Sequence, residues 1–356
     1  MKWTAKTPDA LRIALRALKK EILGFSFAYP IQAVPEGAVK DSLHYHLYSD
    51  ALSWEALRLD PEGIPRAWYR TTGAVYWPGY IAWYGMVNLG HYLRRGEDQH
   101  LEIFLKQADW LEQKAVVRSD GAVVWPMNFD YPSGALTLKA PWISAYAQGL
   151  VMSALVRAWR LTKRPALLEL LKGSAKVFDL DVKDSGVRIP LDGHALYTEV
   201  PGGDPPGILD GFMTSLVGLY DLYAETGDPD VGRIFQDGIE GLIYALPLWD
   251  YRKKWSWYGC RAYLSPPAYH HQNCVLLEVL AGLCQQPVLA DYARRWSPKS
   301  LSALGRAEIY LGFVFTKNLC RLRHRTWRQK AAATSGTSRT VSPIPVPQTV
   351  LNESNH

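Results

Sequence analysis

Cysteine is scarce in this 356-residue chain, and the few that occur are spaced wrongly for metal or redox work. Cys260, Cys274, Cys284 and Cys320 form no C-x-x-C pair, and no His or Cys cluster has zinc-ligand spacing. These absences argue against a disulfide scaffold, a zinc centre and a dithiol redox site, and they fit reduced thiols in the cytoplasm. Long apolar runs are missing too. The stretch Leu11 to Leu23 is broken by Arg12, Arg16, Lys19, Lys20 and Glu21, which reads as an amphipathic helix and not as the core of a signal peptide. No uncharged run approaches the ~20 apolar residues of a transmembrane helix.

The formal charge of +6 is also less than it looks. From Lys317 onward the basic residues Lys317, Arg321, Arg323, Arg325, Arg328, Lys330 and Arg339 face one acid, Glu353. Positions 1 to 316 keep 33 of the 40 basic and 33 of the 34 acidic residues, so the folded part is formally neutral. No nucleic acid partner is expected for it, and the basic end reads as a solvated tail.

What the chain does have is aromatic surface. With 48% hydrophobic and 21% charged residues it is globular and long enough for one large core or two moderate ones. Fourteen Trp and twenty Tyr exceed what packing alone demands of a typical fold, and rings with a polar tip commonly line carbohydrate sites. Core packing still accounts for most of them.

The middle of the chain repeats. Tyr80 to Arg95, the turn Gly96-Glu97-Asp98 and Leu101 to Ala115 read as a helical pair. Trp142 to Leu161, Thr162-Lys163-Arg164-Pro165 and Ala166 to Phe178 form a second. Ile208 to Ala224, Thr226-Gly227-Asp228-Pro229 and Val231 to Leu246 form a third, and Leu276 to Gln285 with Pro287 to Trp296 a shorter fourth. Turns about 65 residues apart mark stacked units. Between the pairs lie excursions rich in Gly, Pro and aromatics, Ser119 to Thr137, Ser185 to Pro206 and Asp250 to His270, with strand character at Val123-Val124-Trp125 and Val187-Arg188-Ile189. The expected architecture is a mainly α (α/α) toroid of about four helical hairpins with short β excursions at one rim; an open solenoid is the competitor. Residues 1–65 are expected to form an N-terminal helical arm packed on the toroid, 66–315 the toroid itself, and 316–356 a largely disordered basic, Ser/Thr/Pro-rich tail.

Chemistry concentrates at Tyr258-Gly259-Cys260-Arg261 and, past a Pro-Pro break, Tyr269-His270. Two phenols and a fixed cation ahead of a helix suit reaction beside a carboxylate: the guanidinium binds the anion and the phenols handle protons. His270 and His271 are adjacent, so their imidazoles diverge, and helix capping or stacking fits them better than metal binding. No metal is expected.

Three segments, this cluster among them, carry a family resemblance. Trp142-Ile143-Ser144-Ala145-Tyr146-Ala147-Gln148-Gly149 with Leu155-Val156-Arg157-Ala158 resembles the W-x-S-A-x-A-Q-G and LVRA motifs of the catalytic C-terminal domain of D-glucuronyl C5-epimerases, the heparan sulfate and heparosan enzymes. Leu209-Asp210-Gly211-Phe212 with Leu219-Tyr220-Asp221-Leu222 is similar to the family's L-N-G-F and GLYDL segment, and Tyr258 with Arg261, then Tyr269-His270, to its Y-x-x-R and Y-H pair. The likeness runs in order from about position 60 to 298.

The resemblance implies an isomerase with no cofactor that turns D-glucuronate into L-iduronate within a polysaccharide by C5 proton exchange. It implies Tyr269 on one face of the sugar, Glu199 on the other, Tyr258 beside C5 and Arg261 on the carboxylate, with Gln148, Asp210, Tyr146, His270 and Tyr197 in contact with substrate. A homodimer follows from family habit, and the compact length points to a prokaryotic relative. Two positions depart from the pattern. Val200 stands where the family has Tyr after the Glu, and Asp210 where it has Asn, so either Tyr197 substitutes or the glycan differs. A lyase starts from the same C5 proton and differs in losing the O4 group. A glycoside hydrolase would need Glu199 and Asp210 as its carboxylate pair. A glycan-binding relative without turnover is the non-enzymatic alternative.

Overall fold

The computed structural model describes residues 19, 22–27, 31–34, 43–49, 57–69, 72–133, 136–203, 205–259 and 262–333. Among them the chain is mainly helical, with nine α-helices and small antiparallel sheets. Eight helices form four hairpins: α1 (Pro78–Arg95) with α2 (Asp98–Gln113), α3 (Ala145–Thr162) with α4 (Pro165–Ser174), α5 (Leu209–Thr226) with α6 (Pro229–Trp249), and α7 (Pro267–Cys284) with α8 (Pro287–Trp296). The turns fall where Gly and Pro put them. Gly96 and Gly227 end α1 and α5 at φ of 70° and 64°, a left-handed conformation that costs glycine nothing, and Pro229 opens α6 at a position whose N–H would be unpaired anyway.

The two rows differ in burial. The helices α1, α3, α5 and α7 pack against one another in sequence order and form the inner row, buried most deeply at its middle, where 13 of 18 residues in α3 and in α5 are buried against 5 of 16 in the outer α2. Alanine, glycine and serine on α3 and α5 let these two approach. A Cβ on Gly218 would lie 2.3 Å from the Gly149 carbonyl oxygen, and one on Gly149 2.6 Å from the Ser215 Cα. One core from Ile31 to Trp296 joins both rows.

Each inner helix is entered from a strand excursion. β3 (Leu57–Leu59), β4 (Pro65–Tyr69) and β5 (Gly73–Tyr76) precede α1, after a short pair β1 (Gln32–Ala33) and β2 (Leu47–Tyr48). β6 (Val116–Val117), β7 (Val123–Val124), β8 (Tyr131–Ser133) and β9 (Leu136–Leu138) precede α3; β10 (Arg188–Leu191) and β11 (His194–Tyr197) precede α5; β12 (Asp250–Tyr251), β13 (Trp255–Tyr258) and β14 (Tyr263–Leu264) precede α7. The excursions therefore all feed the N-terminal ends of the inner helices.

Two expectations change. The fourth hairpin begins at Pro267, not Leu276, so Tyr269 and His270 sit in the first turn of α7; its proline at the first position forms the helix start. The boundary at 316 is crossed by a ninth helix, α9 (Ala303–Ala333): Ile309 and Phe313 bury one face against Trp255, Leu264, Phe25 and Phe27, Thr316 accepts from the Leu264 N–H at 3.1 Å, and Lys317 lies over the Tyr263 ring. The helix expected over Ala5 to Leu23 lies mostly outside the described residues, as do positions 334–356. In the described part of 1–65 the ordered elements are β1 to β3 and part of β4. This segment is tied down by charge: His46 Nε2 lies 2.8 Å from Asp221, and Arg157 reaches Asp221 at 2.7 Å and the His44 carbonyl at 2.9 Å.

Candidate active site

The N-terminal ends of the four inner helices bring four side chains together: Tyr80 of α1, Tyr146 of α3, Asp210 of α5 and Tyr269 of α7, each the second or third residue of its helix. Tyr146 is within electrostatic reach of Tyr80, Asp210 and Tyr269, and Tyr269 of Asp210. The excursions add Tyr69, Tyr131, Glu199 and Tyr258 to the same group. Converging helix N-termini present the positive ends of four dipoles, a setting that favours an anion.

Glu199 follows β11 and is partly buried. Its side chain lies over Gly211, where a Cβ would come within 2.3 Å of Oε2. Burial, and after it the charge of Asp210, raise the Glu199 carboxyl well above the usual carboxylate range. Asp210, also buried, is pushed up to about 7 by desolvation, against which the N–H groups of its own residue and of Gly211 hold it down. Two acids that share a recess cannot both ionise cheaply, so one of them retains a proton near neutral pH.

The phenols stay protonated. Burial first, then the neighbouring carboxyls and phenols, raise Tyr80, Tyr146, Tyr258 and Tyr269 above their ordinary value. The group is thus a set of O–H donors around two carboxyls that keep at least one proton between them near neutral pH. Tyr269 is 42% exposed and stands at the mouth, its ring 5.4 Å from that of Tyr258. Tyr258 stacks in turn on Tyr263 at 5.1 Å, and Lys317 of α9 lies 3.3 Å above the Tyr263 ring.

An aromatic wall backs the recess. Trp77 packs on Tyr80 at 4.7 Å and on Tyr146 at 5.6 Å, and Trp142 continues it to Tyr131 and Phe129. Val200 packs against this wall. A cleft of about 700 Å³ lined by Tyr76, Trp110, Asn128 and Phe129 touches the same wall at Phe129 but contains neither carboxyl, so the titratable cluster, not cavity size, marks the chemistry. No group of three or more His, Cys, Asp or Glu could hold a metal among the described residues.

Residues 119–298, half of the chain, match the family described as D-glucuronyl C5-epimerase C-terminus. The chain belongs to this family. It is 28% identical over 230 residues to a D-glucuronyl C5-epimerase of Caenorhabditis elegans, an alignment that covers 60% of this chain and 37% of the worm protein. An uncharacterised protein of Methanocaldococcus jannaschii is 23% identical over 209 residues, 58% of this chain and 67% of its own length. The chain thus spans little more than a third of the length of the worm relative.

Measured against the family motifs, the structure brings Glu199, Asp210, Tyr146, Tyr258 and Tyr269 together. Arg261 lies outside the described residues. Three expected substrate contacts are instead spent inside the protein. Gln148 is buried and its amide donates to the carbonyls of Val123 at 2.6 Å and Ser174 at 2.9 Å, which pins the Ser119 to Thr137 excursion to α3. The Tyr197 hydroxyl donates to the Ile234 carbonyl at 2.6 Å, so it cannot replace the phenol missing at Val200. His270 is fully buried, stacked 3.5 Å from Trp255 and bonded through both nitrogens, to Ser256 and to the Trp296 carbonyl. Tyr80, Tyr69 and Tyr131 are the additions. Tyr80 had a signal in the repeat: Pro78-Gly79-Tyr80 and Pro267-Ala268-Tyr269 open equivalent helices with the same pattern.

Proposed function

We propose that the chain is a uronate C5-epimerase that converts D-glucuronate to L-iduronate within a heparosan-like polysaccharide. The observation that carries this reading is that Glu199, just after β11, and Tyr269, in the first turn of α7, meet in one cluster, a carboxyl of raised proton affinity and a phenol held by separate elements. C5 lies beside a carboxylate, so removing its proton builds a second negative charge on that carboxylate as an enediolate. The helix N-termini and the phenol donors Tyr80 and Tyr146 oppose that charge, and Arg261 adds a cation by its match to the family motif.

In the proposed step the Glu199 carboxylate takes the C5 proton from one face, and the C–H electron pair passes into the sugar carboxylate. Tyr269 returns a proton to C5 from the other face and is left a phenolate. Solvent at the mouth reprotonates Tyr269 and removes the proton from Glu199. A carboxyl whose proton affinity burial has raised is a stronger base when ionised, which suits it to a weak carbon acid. Tyr258 flanks C5. The same reading takes the four hairpins as an (α/α) toroid, supported by the coupling of Tyr80 and Tyr269 from the first and last inner helices. It also takes the reaction to be cytoplasmic, supported by the free thiols Cys274, Cys284 and Cys320. A homodimer forms no part of it.

The test is NMR of heparosan and related uronate polymers incubated with the protein in deuterated water. Deuterium at C5 of intact polymer, lost in Tyr269→Phe, is the expected result. An unsaturated product absorbing in the ultraviolet would make the chain a lyase, and tight binding without exchange would make it a binding module.

A further inference from the structure

Helix α9 is apolar on two opposite sides. Ile309 and Phe313 are buried against Trp255 and Leu264, whereas Leu304, Leu311, Phe315 and Leu322 are 85%, 65%, 69% and 61% exposed. Their spacing of seven, four and seven residues places the four within about 40° of one another around the helix, on the side away from the packed face. Leu311, Val314, Phe315, Leu319 and Leu322 line a shallow apolar trough of about 470 Å³ along it. Single exposed leucines are ordinary, but a stripe along several helical turns is an interaction surface.

The charge on the helix selects the partner. Residues 303–333 contain Arg306, Lys317, Arg321, Arg323, Arg325, Arg328 and Lys330 and one acid, Glu308. Glu308 is already engaged by Arg252 at 2.8 Å and Lys254 at 2.6 Å. Pairing with a second copy would set one strongly cationic helix against another. An apolar stripe on a helix rich in cations instead matches the boundary of a bilayer, where acyl chains take the leucines and anionic headgroups take the Lys and Arg. No helix among the described residues is long and apolar enough to cross a membrane, so this association would lie in the interface plane.

We propose that α9 docks the protein on anionic lipid surfaces through Leu304, Leu311, Phe315 and Leu322. Docking brings the recess with it. Lys317, within a turn of Phe315, lies over Tyr263, which stacks on Tyr258, so the candidate active site is two ring contacts from the docking helix.

The experiment is co-sedimentation of the full chain with vesicles of phosphatidylcholine alone and with about one third phosphatidylglycerol. Binding to the anionic vesicles that weakens with salt is expected, and Leu311→Ser with Phe315→Ser should lower the bound fraction roughly tenfold or more. Both positions are exposed, so an unchanged melting temperature verifies that the variant is folded. Three results overturn the proposal: no sedimentation with anionic vesicles, equal binding by the double variant, or vesicle-independent dimers that the double variant dissolves, which would assign the stripe to a second copy.

Discussion

The Glu199 carboxyl rests on the bare backbone of Gly211, the residue that follows the other acid of the recess. A methyl group at 211 would lie 2.3 Å from Glu199 Oε2 and 2.8 Å from its Cβ, so rotating the carboxylate away does not relieve the clash. The glycine is therefore part of the site, and its reason is space.

Gly211→Ala is expected to separate folding from function. Alanine improves helix propensity by about 1 kcal/mol, which offsets part of the strain at this first-turn position. Displacing Glu199 by 1 Å costs geometry that proton transfer cannot spare, so C5 exchange should fall by roughly 100-fold. Thermal melting and deuterium incorporation, measured on the same sample, check both halves; an active variant would remove Glu199 from the reaction.

Asp210→Asn restores the family's own residue. Because burial raises Asp210 from 3.8 to about 7, the folded chain binds its proton more tightly than the unfolded chain. Between pH 4 and 7 the native state therefore holds more protons, and stability falls as pH rises through that window. The amide carries no such penalty, so the variant should gain about 1–3 kcal/mol at pH 8 and nothing below pH 4. It also removes the charge that helps raise Glu199, which acts as a carboxylate, so the acid arm of the variant's exchange profile should move toward lower pH. Urea titrations at the two pH values and a pH profile of exchange are the measurements.

The helical pairs were legible because their punctuation is local. Thr226-Gly227-Asp228-Pro229 writes a left-handed stop, an N-cap and a proline start in four letters, and Asp228 does accept from the Asp230 N–H at 2.9 Å. The carboxyls and three of the phenols, Tyr146, Tyr258 and Tyr269, were legible through motifs. Gln148, Tyr197 and His270 were not, because a polar side chain in a motif reads alike whether it faces a ligand or a carbonyl; only packing decides. Tyr69 and Tyr131 come from distant excursions and meet the site only through the fold. The cations after Lys317 hid a helix because charge dominates composition while the Ile309 and Phe313 pair that anchors it is small.

Asp221→Ala is expected to be among the most damaging changes remote from the recess. It strips the carboxylate from a buried Arg157 that also holds the His44 carbonyl, and leaves His46 without its acceptor. Removing one partner of a buried pair typically costs 3–5 kcal/mol. Asp221 is held well below its ordinary value, by Arg157 and His46 against the burial that would raise it, so its contribution is complete above pH 4 and disappears only as pH falls further. Replacing Asp221 and Arg157 together by apolar residues should lose less than the single change, which a double-mutant cycle in urea would read directly.

His270→Ala decides between two meanings of a motif histidine. Were the ring a substrate contact, truncation would lower exchange while stability held. Its geometry argues the reverse: the ring is fully buried, stacked at 3.5 Å on Trp255, and joins β13 to the end of α8 through Ser256 and the Trp296 carbonyl. Alanine leaves a cavity and unpaired polar groups on both elements, a loss of about 2–4 kcal/mol. Desolvation lowers the imidazole to about 3, so in the wild type its stabilising effect is whole above pH 6.5 and is lost as pH falls toward 3, when the unfolded chain takes up a proton that the folded one refuses. The variant should therefore be less stable at pH 7 and show a flatter acid limb, with exchange per folded molecule reduced less than tenfold. A stable His270→Ala chain that has lost exchange would return the residue to the sugar.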